Sequence, residues 1–150
     1  MLLEGAATWP ALPPELTALQ AWWTDKCDHG AKLPAGGFGV DMLEPWQNNV
    51  AWIERIPSGR FRIDYCGLSL IRRLGREATN SYIDTLASDI FTLLQDALTR
   101  CVASGAPVVM RPYIALGDMR ADHVDLVLPF GAAKSVSTLL FASYELASPF

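Results

Sequence analysis

The sequence predicts an α+β domain: a five-stranded antiparallel sheet with helices on one face and an N-terminal helix in front of it. Three observations carry this. Two strand-like runs, Asn49–Ile56 and Phe61–Cys66, flank the turn residues Pro57, Ser58 and Gly59. One long segment, Ala87–Ser104, carries Ile90, Phe91, Leu94, Leu98, Cys101 and Val102 at helical spacing. Three further strand-like runs close the chain, Val108–Leu116, His123–Phe130 and Val136–Tyr144, joined by links short enough for antiparallel neighbours. A hairpin alone is marginal, so both strand groups must share one sheet, with the helices between them lying on it.

Taken in order, residues 1–13 read as a flexible tail, broken by Pro10 and Pro13, and residues 14–150 as a single domain. Pro14 suits a first helical turn, and Leu16, Leu19 and Trp23 then fall on one face, widened by Trp22. That stripe either folds back on its own sheet or is shared with a second copy of the chain. Gly30 is a reasonable stop. Residues 31–48 form a connector; Gly36, Gly37 and Gly39 lack the GK[ST] ending of a phosphate loop. Within it, Met42, Leu43 and Trp46 are expected to cover the sheet. In the second strand Phe61, Ile63 and Tyr65 alternate with Arg62 and Asp64, which places the first three on one face. Gly67 ends that strand, and a short helix, Leu68–Leu74, ends at Gly75. Ser88 is a plausible N-cap for the long helix, which Gly105 and Pro107 terminate.

Composition narrows the function classes. The 150 residues are 51% hydrophobic and 19% charged, enough for one folded core. A net charge of -4 argues against a general nucleic-acid binder. No apolar run is long enough to span a bilayer, and the N-terminus lacks the basic start of a signal peptide. The three cysteines, Cys27, Cys66 and Cys101, form no CxxC pair and fit no zinc spacing; an odd count without a secretion signal points to a reducing, cytoplasmic setting.

The order of elements, with particular residues, resembles a PAS domain over roughly Leu16 to Tyr144. The matching features are Trp22-Trp23 in the leading helix, Leu33-Pro34 before a connector holding Asp41, and the strand FRIDYCG. Then come Ile71, Leu74, Gly75, Arg76, Glu77 and Thr79, and finally Gly105-x-Pro107. More narrowly, they look like the single-domain alphaproteobacterial PAS family once catalogued as a domain of unknown function. Where that family has a second glycine after the threonine, this chain has Asn80-Ser81; Asn tolerates a left-handed backbone better than most residues. The resemblance implies a bacterial signal-input or interaction module, with a ligand between sheet and crossing helices, pairing through the leading helix, and docking to other signalling proteins. With six residues after Tyr144, output is expected to pass through a partner or through a change in association.

On that footing the pocket is expected from Tyr65, Leu70, Leu74, Tyr82, Phe91, Leu94, Val127 and Phe141. Arg111 and Tyr113, two apart on the third strand, add a guanidinium and a phenol if that face is the inner one. The homodimer interface is expected from Leu16, Leu19, Trp22 and Trp23. The ligand is unknown. Flavin-adduct chemistry is disfavoured because Cys66 ends a strand and no NCRFLQ-like motif follows; haem is disfavoured because the long helix holds no histidine. His29 has no second imidazole to share a metal, so no metal site is expected. His123 begins a strand, and Asp118, Asp122 and Asp125 read as a solvated turn. Arg72, Arg73 and Arg76 read as a solvated rim or a docking patch. Two histidines at element edges support no hydrolase triad, and Asp64 alternates away from the pocket, so the chain is expected not to be an enzyme. The alternatives are a small α+β enzyme acting on a small hydrophobic substrate and a structural dimerisation module.

Overall fold

In the computed structural model, residues 12–27, 40–86, 88–110, 123–132 and 135–145 are described. Five strands form one antiparallel sheet in the order β2-β1-β5-β4-β3. They are β1 (Val50–Arg55), β2 (Phe61–Cys66), β3 (Val108–Met110), β4 (His123–Ala132) and β5 (Ser135–Glu145). The long β4–β5 hairpin forms the middle of the sheet, and β5 pairs with β1 on its other side. Between β2 and β3 run α2 (Leu68–Leu74), a single turn at Ile83–Thr85, and α3 (Asp89–Ser104). The third strand is described only to Met110, so its expected end at Leu116 lies outside the described residues.

Both sheet faces are covered. On one side, α2 and α3 close over Ala51, Ile53, Ile63, Val127, Leu139 and Phe141. On the other, α1 (Pro14–Lys26) and a kinked 3-10 helix (Val40–Asn49) cover Val50, Leu126, Leu128, Phe130, Leu140 and Ala142. The leading helix therefore folds back on its own sheet. Leu16 and Leu19 are 0% exposed there. Trp23 Nε1 donates to Pro129 O at 3.0 Å, and Trp46 Nε1 donates to Glu15 O at 2.9 Å, tying the two covering helices down.

Local chemistry explains the element ends. Ser88 caps α3 through its hydroxyl, which accepts from Phe91 N at 3.3 Å. The strand-to-helix corner at Gly67 needs glycine for space: a Cβ there would lie 2.2 Å from Gln47 O. In the crossing segment, Asn80 takes a left-handed φ of 71°, the role the sequence assigned to it. Its N–H donates to Ile63 O, and Ile63 N donates to Ser81 O, so this segment covers the open edge of β2.

One local feature overturns an expectation. The β1–β2 ladder slips between Trp52 and Ile53: Trp52 faces Tyr65 but Ile53 faces Ile63, leaving Asp64 as an extra, bulged residue. Alternation is reset at that point. Phe61, Ile63 and Cys66 face α2 and α3, whereas Tyr65 joins the α1 side.

Candidate functional site

The apolar residues expected around the pocket come together as packed core. Leu70 from α2, Phe91 and Leu94 from α3, Val127 from β4 and Phe141 from β5 all lie in the core between the sheet and the helices, each no more than 2% exposed. Leu74 packs at its margin. Two expected members do not join them. Tyr65 is carried to the opposite face by the bulge at Asp64, where its hydroxyl donates to Gln47 O at 2.8 Å. Tyr82 is half-buried at the β2 edge, its ring 4.1 Å beneath the Arg60 guanidinium, which is itself paired with Asp84 at 2.8 Å. Arg111 and Tyr113 fall outside the described residues. The α1 residues are accounted for within one chain: Leu16 and Leu19 are buried and offer nothing to a second copy, and Trp22 and Trp23 are half-buried on the same cluster. Burying that stripe on β4 and β5 removes the exposed aromatic area that called for a dimer.

Further along the same sheet face the lining turns polar. Strand periodicity carries Val127 to Asp125 and His123, both facing the helices, at 3% and 2% exposure. Across the ladder Asp125 is paired with Ser143. From α2, Arg73 reaches over both: Nη1 stands 3.4 Å from Asp125 Oδ1, and Nη2 donates to His123 Nε2. A guanidinium only donates, so in this contact His123 Nε2 is the acceptor. His123 Nε2 lies 4.0 Å from the second Asp125 oxygen.

Burial dominates the electrostatics. It pushes the Asp125 carboxyl up to about 6, against the attraction of Arg73 and a contribution from the Ser143 hydroxyl. Among the described residues Ser143 Oγ has no other hydrogen-bond partner. Burial likewise lowers Arg73, opposed by Asp125 and Glu145. Asp125 is thus no solvated turn residue, and Arg73 leaves the exposed rim on which Arg72 and Arg76 remain. These two corrections share a cause: the strand begins at His123, so Asp125 lies inside the sheet, and α2 turns Arg73 toward it.

This polar group borders an open cleft of about 550 Å³. Ser69, Leu70, Arg72 and Arg73 of α2 form one wall; Ser143, Tyr144 and Glu145 of β5 form the other, with Asn49 at the end. Asn49 Nδ2 donates to Ser143 O at 3.1 Å and holds that end in place. Its position was readable in part. Val127 was assigned to the inner face, and counting back by two reaches Asp125 and His123; the helix-borne Arg73 had no such signal.

Cys66 is buried and its thiol is pushed up to about 11, chiefly by that burial; Cys101 is also buried, and Cys27 is half-buried. Among the described residues, no three His, Cys, Asp or Glu side chains converge as a metal site, and no helix is long and apolar enough to cross a membrane.

Neither any protein-family model nor any curated protein matches the chain. Among solved structures it is similar to an RNA-binding light-oxygen-voltage receptor, at 17% identity and a TM-score of 0.42 over 67% of this chain. The chain spans about a third of that receptor's length, 32%. The fold itself is PAS-like α+β: a five-stranded antiparallel sheet in the order β2-β1-β5-β4-β3, with its helices crossing between β2 and β3.

Proposed function

We propose that the chain is a non-enzymatic sensory module of the PAS type, which binds a small molecule in the α2–β5 cleft and signals through partner proteins. The observation that supports this reading is Arg73. Its guanidinium borders the cleft and at the same time holds two side chains that are almost wholly buried, Asp125 and His123. Buried charge is costly, and charged groups with shifted protonation cluster at functional clefts. A ligand there touches α2 and β5 together, and the Tyr144 ring on the other face of β5 packs with the α1 cluster. Occupancy thereby reaches both faces of the sheet. A ligand with different affinity for two arrangements of α2 shifts their populations, which is all that signalling requires. Asp125 stands behind Arg73 at 3% exposure instead of at the cleft surface, which favours binding over acid–base catalysis.

The test is native mass spectrometry of freshly purified protein beside a thermal-shift panel of small polar molecules. Both are repeated on Ser69→Trp, which fills the cleft from an incompletely buried helix position. A bound small molecule, or a stabilising one, that the variant loses is the expected result. Protein that takes up nothing, or takes it up equally in the variant, defeats the reading.

A further inference from the structure

Resting on the cleft being the input site, we infer that its ligand is a small molecule bearing one oxyanion group, held between Arg72 and Arg73, and that Asp125 competes with it for Arg73. The last turn of α2 supplies both guanidinium groups. Ser69 precedes them by three and four residues, which places its hydroxyl on the same helix face. Arg72 is exposed and has no ion-pair partner among the described residues. Arg73 has five donor hydrogens and spends them sparingly: one long contact of 3.4 Å to Asp125 and one to the His123 ring. A planar fork with unused donors facing a cleft is built for a carboxylate or a phosphate.

The opposing charge in the cleft is Glu145, exposed at the end of β5 and attractive to Arg73. With Asp125 protonated, two guanidinium groups against the Glu145 carboxylate leave a single positive charge, which suits a ligand with one anionic group. Beneath the cleft, Asp125 faces Arg73 from α2, His123 on its own strand, Ser143 from β5 and the apolar Met110 of β3. Protonated Asp125 no longer neutralises Arg73, so the guanidinium is free for the ligand. Burial places that change at about 6. The anion therefore binds more tightly in mild acid, and its binding raises the proton affinity of Asp125 in return.

Sulfate and acetate are the probes, the first a phosphate stand-in that does not titrate near neutrality, the second a single carboxylate. Calorimetric or thermal-shift titrations are run at about pH 5.5 and about pH 8 on the wild type, Arg72→Gln, Asp125→Asn and Ser69→Trp. Saturable binding that Ser69→Trp abolishes and Arg72→Gln weakens roughly tenfold supports the assignment, as one charged hydrogen bond is worth about that factor. Sulfate binding that weakens with rising pH in the wild type but not in Asp125→Asn supports the competition. Preference between the two probes identifies the oxyanion. If Asp125→Asn does not fold, the wild-type pH series and Arg72→Gln decide alone. Neutral or cationic ligands lost in Ser69→Trp, with anions indifferent to Arg72→Gln, overturn the inference and leave the sensory reading standing. Indifference of every ligand to Ser69→Trp overturns both.

Discussion

At the scale of single residues, Asp125 is the most consequential position. Its carboxyl titrates at about 6 in the folded chain because burial disfavours its charge more than Arg73 favours it. In the unfolded chain an aspartate titrates near ~4. Between these values the folded state binds more protons, so this group stabilises the fold at low pH and loses that contribution as pH rises through about 6. Asp125→Asn cannot ionise. Urea denaturation across pH should show the stability of the wild type, relative to this variant, falling by on the order of 3 kcal/mol from about pH 4 to about pH 7. A relative stability that rises over the same window would mean that the ion pair with Arg73 outweighs burial. The same residue shows where reading the sequence stops. Among three aspartates close in sequence, Asp125 looks like a turn residue, and only the strand beginning at His123 puts it inside. The alternation His123, Asp125, Val127 contained the answer, since Val127 was already on the inner face.

At the scale of elements, the helices and strands were largely readable because each carries its own punctuation. Pro14 opens α1, Gly67 and Gly75 bracket α2, and Ser88 and Gly105 bracket α3. What a helix packs against is set by distant parts of the chain, so the stripe of Leu16, Leu19 and Trp23 fitted two surroundings equally well. The structure spends it on β4 and β5. Leu16→Ala should accordingly cost about 3 kcal/mol in urea denaturation of dilute protein, with no dependence on protein concentration. A cost that grows on dilution would instead signal a helix shared between copies. Gly67→Ala tests the corner between β2 and α2. The new Cβ meets backbone at 2.2 Å, and backbone yields less readily than a side chain. A loss of about 2 kcal/mol or more is expected, with α2 and its cleft wall displaced.

For the molecule as a whole, the sheet is a shared wall between two cores, and the strands at its centre are apolar on both faces. Val124, Leu126 and Leu128 serve α1 while Val127 serves α3, so β4 reads as a nearly continuous hydrophobic run. The strand was readable from the sequence, and the antiparallel sheet followed from link lengths. The face assignments were less accessible, because they depend on register, and register depends on pairing between strands far apart in sequence. Tyr65 shows this: strict alternation put it beside Ile63, and the bulge put it across the sheet. The bulge has a further meaning for how this chain tolerates change in length. β2 carries one residue more than its ladder counts, and that residue is Asp64, a partly exposed side chain that pairs with Arg62, two residues away, at 2.6 Å. Removing Asp64 leaves Ile63 opposite Ile53 and Tyr65 opposite Trp52, each on the face it already occupies. Removing Arg62 pushes Asp64 or Phe61 onto a wrong face. A cellular solubility screen of single-residue deletions along β2 should return the Asp64 deletion folded and the Arg62 deletion insoluble. The strand holds a spare letter, and one place where the text can be shortened without changing its sense.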